Sequence, residues 1–459
     1  MAKIIRTQVC VAGGGSGGFG AACRAAELGA KTVLFEAQKI LGGTSTYCGV
    51  NCWEPVTGAA FGLPRRLYDR MKKIPGACGI YAISRHFCFP ENERNRFPGG
   101  ENKINPKLTY EDTLKLCFDH RFPWQPEQWN GVVFEPDAWN RCARKMLDEA
   151  GCEVIVGRRA VALENDGERI RSVTLDDGTV IEAEIWVDNC GFLACASGCG
   201  ILFGSEPRAL FKEPDAPEMP DCSVLNGVTL LFRITPAEKP GIEPLPPEIP
   251  SDARLPFRGV MVATQYPNGD FGCNMLPTMR GIEYLSLGEE AAYKECVRRV
   301  RIFWHDVQEE YPDLRSFRIK SVCPAPGIRE TFRVRCDYML SENDLTAGVH
   351  SQEHSDMVVM ADHLMDRHGA AGQFKPVFPY GIPYRSLLPE GKTNLLVAGR
   401  IGGFSCIAAT SCRLSRTVMR LGEAAGAAAA LALSDKCDLR KVNINKLQQL
   451  TQFKEEIRV

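Results

Sequence analysis

The sequence predicts an α/β fold, and three observations carry that expectation. Val9, Val11 and Ala12 end a short apolar strand that runs into a glycine turn and then into Phe19 to Leu28, where apolar residues recur at helical spacing up to a stop at Gly29. Lys31 to Phe35 then reads as a second strand, closed by Glu36. Towards the other end, Asn394 to Gly403 (NLLVAGRIGG) reads as a buried strand entering another glycine turn, and Gly422-Glu-Ala-Ala-Gly426 opens an alanine-rich helix.

The first turn has a mechanical reason for each glycine. Gly13 permits the tight bend, Gly15 lets a phosphate approach the backbone, and Gly18 lets helix and strand pack closely, which is the spacing G-x-G-x-x-G. With Ser16 and Gly17 between them, these residues form a phosphate-facing turn at the N-terminus of the helix, where amides and dipole favour an anion. Glu36 follows about 20 residues on, where an acid accepts hydrogen bonds from ribose hydroxyls and repels a 2′-phosphate. A dinucleotide of the FAD or NAD kind therefore fits better than NADP. A glycine-rich turn alone is common; strand, helix, second strand and acid in register are what mark a nucleotide site.

The middle of the chain is read in order. Residues 56–130 hold scattered Pro, Gly and aromatic residues without a clear period, the pattern of loops and short helices. Trp139 to Ala150 is amphipathic and predicts a helix, and Glu153 to Val156 a strand. Arg169 to Leu175 and Val180 to Val187, joined by Asp176-Asp177-Gly178, predict a β-hairpin. The proline-dense stretch Pro236 to Pro256 predicts a surface connection, Val260 to Thr264 and Glu283 to Leu287 strands, Glu289 to Tyr311 a long helix, and Ser355 to Met365 another helix.

Composition bounds the function. At 459 residues the chain suggests two interleaved domains, and 44% hydrophobic with 24% charged residues is ordinary for a soluble globular protein. A net charge of −1 argues against nucleic acid or an anionic membrane as the main partner. No secretory leader pattern and no apolar run of about 18 residues is found, so no membrane span and a cytoplasmic location are expected. The run Ala424 to Leu433 is too short to cross a bilayer and reads as a buried helix. Twenty cysteines are scattered without any C-x-x-C, which suits reduced thiols; Cys190, Cys195 and Cys199 lack an evident fourth ligand, so no metal is expected.

Further residues carry a resemblance. Leu41-Gly42-Gly43-Thr44-Ser45 after the ribose acid, the C-terminal strand and turn, and Ile181 to Gly191 resemble FAD-dependent oxidoreductases built on the glutathione-reductase type of Rossmann domain. More specifically, GGTSTYCGVNCWEP at 42–55, GIRETFRVRCDYMLSENDL at 327–345, Asp366-Arg367-His368 and IPYRSLLPEGKTNLLVAGR at 382–400 resemble bacterial FAD-dependent oxidoreductases related to fumarate-reductase-type flavoproteins. The resemblance implies a discontinuous FAD-binding domain over 1–55, 131–204 and 376–435, an inserted α+β substrate or cap domain over 56–130 and 205–375, and a C-terminal tail from 436 to 459. It implies FAD contacts at Gly13, Gly15, Ser16, Gly17, Gly18, Glu36, Ala37, Gly42, Gly43, Thr44, Ser45, Gly191, Gly399 and Arg400, and adenine-side contacts at Ala160 or Val161.

A flavin enzyme must also orient its substrate and manage a proton. Arg329 and Arg333 offer planar clamps for a carboxylate, although with Glu330 between them a structural ion pair is an equal reading. On an extended segment Asp366 and His368 share a face, making His368 the candidate proton carrier and Asp366 its orienting partner; the competing reading is a cap or a satisfied core histidine. Asn51, Trp53, Tyr384 and Arg385 are candidate substrate contacts, with core packing as the alternative, which for Trp53 is slightly preferred. The expected activity is hydride exchange with a carbon centre of a small polar metabolite. Two alternatives stand beside it. One is a flavin-coupled thiol-disulfide enzyme using Cys48 and Cys52, although Ser45 occupies the place of the first redox cysteine of the disulfide reductases. The other is an electron-relay subunit, and no second G-x-G-x-x-G unit is found for a nicotinamide donor. A homo-oligomer or an electron-transfer partner is compatible with either.

Overall fold

A computed structural model describes residues 3–53, 61–82, 87–89, 130–255, 260–368, 374–375 and 377–457. Its centre is a seven-stranded sheet. In spatial order it runs Glu153–Val156, Thr32–Glu36, Ile4–Ala12, Val180–Asp188, Ile170–Leu175 and Ala160–Asn165. Val180–Asp188 is the pivot. One side pairs in parallel with the first strand, from Ile4 opposite Val180 to Ala12 opposite Asp188. The other side is shared: Val180 to Glu182 pair antiparallel with Ile170–Leu175, and Trp186 to Asp188 pair in parallel with Leu395–Val397. The hairpin expected at Asp176-Asp177-Gly178 is present, its turn closed by a hydrogen bond from the Gly178 amide to the Leu175 carbonyl.

The sheet is covered because its strands are apolar on both faces, as parallel strands must be. Helix Ser16–Glu27 lies against helix Ser415–Ser434, and small residues set how closely they approach. A Cβ on Gly422 would stand 1.9 Å from the carbonyl oxygen of Gly17, and one on Gly426 would stand 2.2 Å from that of Ala21. The alanine-rich run is buried, as its composition implied. On the opposite face Cys10, Val33, Phe35, Ile181 and Trp186 pack with Ala160 and Leu193.

A second core stands beside this one. Strands Phe317–Val322, Leu231–Pro236, Phe271–Leu276, Val260–Gln265 and Phe87–Phe89 form an antiparallel sheet. The long helix Glu289–Glu310 packs on it through Cys296, Val300, Phe303, Trp304 and Val307. Arg233 ties the two cores together. It meets Glu135, just before helix Pro136–Glu149, through two bonds of 2.8 and 2.9 Å; it meets Asp270 at 2.6 Å, and its guanidinium lies 3.8 Å from the centre of the Tyr266 ring.

Three local expectations change. Glu283 to Leu287 is not a strand but part of helix Gly281–Leu287, which leads through Gly288 into the long helix. Ser355 to Met365 is not a helix: Met357–Ala361 is a wholly buried strand paired with Tyr380–Pro383, and Met365–Asp366 pairs with Phe374–Lys375. The proline-dense stretch is more than a free connection, since Glu243 accepts hydrogen bonds from Trp304 at 3.0 Å and from the Ile319 amide at 2.9 Å. Most of the 56–130 excursion lies outside the described residues; helix Gly62–Met71 is within them.

Candidate active site

The first strand, the pivot strand and the C-terminal strand all end at one cavity of about 320 Å³. Its first wall is the glycine turn. Gly13 has φ +90°, and Gly42 and Gly43, at +104° and +51°, bring the following loop back against it. The Gly42 amide donates to the Gly14 carbonyl at 2.8 Å, and a Cβ on Gly43 would reach the Gly15 Cα at 3.3 Å. Gly18 does not face the cavity; its missing side chain lets the helix rest on the Gly13 carbonyl, 1.7 Å from where a Cβ would be. Gly17 is likewise a packing position, against Asn189 and Val418.

Two features of this wall fit a dinucleotide. The helix starts at Gly15, whose lack of a side chain leaves the first turn without a side-chain cap, so its amides are turned to the cavity. Glu36 lines the same cavity and is fixed there by the Gly14 amide at 2.6 Å and the Gln38 amide at 2.7 Å. Burial pushes its carboxyl up from the ordinary value, and these amides oppose that shift. Thr44 also lines the cavity; Ala37 is not among the lining residues. Ser45 is fully buried and links the walls, its hydroxyl 3.3 Å from that of Ser16 and 3.0 Å from that of Ser415.

The pivot strand delivers Asp188 and Asn189. Asp188 is buried and accepts from the amides of Cys190, Gly191 and Ala194 at 3.0, 2.8 and 2.8 Å, which fixes the turn. Gly191 starts the helix Phe192–Ala196 and lies against the Phe332 ring rather than the cavity. Asn189 lines the cavity, and its amide group fills the space that side chains would take at Gly15, Gly17 and Gly399. Ala160 is in the apolar cluster below the sheet, and Val161 is 57% exposed; neither lines the cavity.

The remaining walls carry arginines; Asp366 and His368 are not among the lining residues and stand behind Arg413. Arg329, Arg400 and Arg413 line the cavity, with Thr229, Asn274 and Ser415. Arg329 donates to the Gly227 carbonyl at 2.9 Å and to the Thr229 hydroxyl at 2.7 Å. Arg400 donates to the Ile328 carbonyl at 3.0 Å, and burial pulls its pKa down. Arg413 reaches back to Asp366 at 3.2 Å, and His368 Nε2 is 2.7 Å from the same carboxylate oxygen. The His368 amide is in turn held by Asn226 Oδ1 at 3.0 Å. Burial alone would raise the Asp366 carboxyl, but the His368 hydrogen bond and the Arg413 charge hold it well below the usual carboxylate range. Burial, aided by the Arg329 charge, pulls His368 below its ordinary value against the pull of Asp366. Both shifts favour an ionised carboxylate beside a neutral imidazole. With the Nε2–H donated to Asp366, Nδ1 carries the lone pair.

The other expected contacts are placed elsewhere. Arg333 is 1% exposed and bound to Glu330 and Glu206, each at 2.7 Å, so the structural ion pair is what forms. Trp53 is 2% exposed and packs on Phe134 with ring centres 5.1 Å apart. Asn51 is buried against Gly272. Tyr384 is buried and donates to the Leu439 carbonyl at 2.9 Å, while Arg385 pairs with Asp356 at 3.0 Å. Asn189, Thr229, Asn274 and Arg413 were missed by sequence reasoning. Arg413 had one signal, its place just before a long helix that returns to the glycine turn.

Cys48 and Cys52 are both reduced, and burial pushes the Cys48 thiol up to about 11. Among the described residues no three His, Cys, Asp or Glu side chains converge as a metal site, and no helix is long and apolar enough to cross a membrane.

No curated protein matches the chain. Solved structures are only remotely similar to it. A geranylgeranyl bacteriochlorophyll reductase-like protein from Thermoplasma acidophilum is 12% identical, with a TM-score of 0.46 over 99% of this chain and 84% of that one. The myxobacterial chondrochloren halogenase CndH is 13% identical, with a TM-score of 0.48 over 97% of this chain and 78% of that one. The p-nitrophenol 4-monooxygenase PnpA from Pseudomonas putida is 11% identical, with a TM-score of 0.45 over 98% and 84%. The decisive match is to the sequence itself: a family model described as FAD dependent oxidoreductase covers residues 8–450, and the chain belongs to that family, with FAD as its cofactor.

Proposed function

We propose that this FAD-dependent oxidoreductase exchanges a hydride with a carbon centre of a small polar metabolite, on a FAD domain of the glutathione-reductase type assembled from 1–55, 131–204 and 376–435. FAD supplies the two-electron acceptor or donor. Gly13, Gly15, Ser16, Gly42 and Gly43 would hold its pyrophosphate side and Glu36 its ribose. Arg329 orients the substrate, and Asp366 keeps the His368 imidazole in the tautomer whose Nδ1 takes or returns the proton. The observation that supports this reading is the Asp366 carboxylate, which holds His368 at 2.7 Å and the cavity-lining Arg413 at 3.2 Å, although His368 and Asp366 do not themselves line the cavity. Arg333, Trp53 and Tyr384 serve the scaffold, which leaves Arg329 as the substrate-facing member of the expected pair.

His368→Asn tests the proton role. The variant should keep wild-type FAD content, while kcat falls by about 10²–10⁴-fold. The sign of the pH effect follows from the lowered His368 pKa. A neutral imidazole acts as base, so wild-type kcat for substrate oxidation should be flat on the alkaline side and fall only below about pH 6.5, the ordinary histidine value. The same shift acts on stability. The unfolded chain takes up this proton first, so the contribution is present above that pH and lost as pH falls through it. Unchanged kcat and an unmoved acid limb in the variant would remove His368 from the mechanism.

A protonated thiol at Cys48 is a poor nucleophile, which weighs against the thiol-disulfide reading. Cys48→Ser and Cys52→Ser should each retain turnover. Loss of turnover with FAD still bound would revive that reading.

A further inference from the structure

Three serine hydroxyls stand in series beside the cavity. Ser16 opens helix Ser16–Glu27 and Ser415 opens helix Ser415–Ser434, and both line the cavity. Ser45 lies between them, wholly buried and not among the lining residues. Its hydroxyl donates to Ser415 Oγ at 3.0 Å. A hydroxyl has a single proton, so in the 3.3 Å contact with Ser16 it accepts, and Ser16 is the donor. The series therefore has a direction, from Ser16 through Ser45 to Ser415. It ends on a proton: among the described residues no acceptor takes that of Ser415, and the side chain belongs to the cavity wall. Hydroxyls in series polarise one another, which makes the last a stronger donor.

The helices say what that proton meets. They run in parallel, Gly17 against Gly422 and Ala21 against Gly426, so both N-termini come to the same end. Neither first turn has a side-chain cap or an acidic residue. One helix end carries about half a positive charge, whereas a diphosphate diester carries a negative charge on each phosphate, so the terminus at Gly15 does not balance it alone. Ser415 stands one bridging hydroxyl away from Ser16 and brings the second helix end with it.

We propose that Ser415 is a ligand of the FAD diphosphate, shared with the turn at Gly15, and that Ser45 is a positioning residue that acts through Ser415. Ser45 then touches no cofactor. It fixes which way the Ser415 hydroxyl turns, because an oxygen already accepting from Ser45 presents its own proton to the cavity.

Two ligands separate the diphosphate from the flavin. Flavin-free protein is titrated with FAD, read by quenching of flavin fluorescence, and with ADP-ribose, which keeps the diphosphate and lacks the flavin, read by displacement of FAD. Ser415→Ala should weaken both by about tenfold, as for a lost hydrogen bond to a charged group, and its flavin-free Tm should match the wild type. Ser415→Thr keeps the hydroxyl and should bind as the wild type does. Ser45→Ala should also weaken both ligands, and adding it to Ser415→Ala should cost nothing further, a coupling that lost packing does not produce. Unchanged FAD affinity in Ser415→Ala would overturn the proposal. So would a loss for FAD without one for ADP-ribose, which assigns Ser415 to the flavin ring, or ADP-ribose that fails to displace FAD from the wild type. Additive losses in the double variant would remove Ser45 from its positioning role.

Discussion

Gly18→Ala should yield a protein that holds little or no FAD and unfolds at a clearly lower temperature. The added Cβ would lie 1.7 Å from the Gly13 carbonyl oxygen, and the obstacle is backbone, which has no rotamer to change. Either the helix lifts from the strand or the turn opens, and both move the amides that begin at Gly15. Overpacking of this kind costs about 1–3 kcal/mol where side chains can yield, and more where they cannot. Flavin absorbance per chain and a melting curve measure the two effects together. Stoichiometric FAD with an unchanged Tm would mean that helix and strand are not in the contact described.

Arg333→Leu should be the most damaging change outside the cofactor turn, and the damage should be to the fold. The guanidinium lies between Glu330 and Glu206, both almost completely shielded from solvent, and removing it leaves two buried carboxylates facing one another. Breaking a buried pair from one side costs about 3–5 kcal/mol, whereas neutralising every member costs far less. Urea unfolding should therefore show a large loss for Arg333→Leu and a substantial recovery when Glu206→Gln and Glu330→Gln are added to it. If the single variant were as stable as the wild type but inactive, the residue would return to the list of substrate contacts.

What could be read from the residues follows the range of the forces involved. The glycine turn, the hairpin at Asp176-Asp177-Gly178 and the helix from Glu289 are set by local sterics and periodicity, and they lie where the sequence places them. Met357–Ala361 misled because a short, continuous apolar run suits a buried strand or a buried helix equally, and only its partner Tyr380–Pro383 decides. Glu283 to Leu287 misled in the opposite sense: its alternation resembles a strand, yet Gly281 and Gly288 bound a two-turn helix. The site was legible in proportion to its locality. Asp366 and His368 are two residues apart and pair as expected, though outside the cavity lining; Arg413, Asn274 and Asn189 enter the cavity from distant stretches, and only Arg413 has a sequence signal, its place before the long C-terminal helix. Arg333 shows the converse, since an arginine beside a glutamate looks the same in sequence whether it clamps a substrate or a core.

The arrangement of the pivot strand also sets an order in time. Val180–Asp188 lies between a strand that begins at Ile4 and one that begins at Leu395, so the Trp186 to Asp188 part of one edge stays unpaired until synthesis has passed Leu395. Arg400, Arg413 and Ser415 emerge later still, which means that the nascent protein has its phosphate turn long before it has a closed cavity. Such distant pairings are slow to form, and the waiting strand edge is a template for misassembly. FAD that binds only the completed cavity acts as a clasp on the finished fold and draws the last step forward by mass action. By that linkage the finished fold gains stability with the concentration of free flavin.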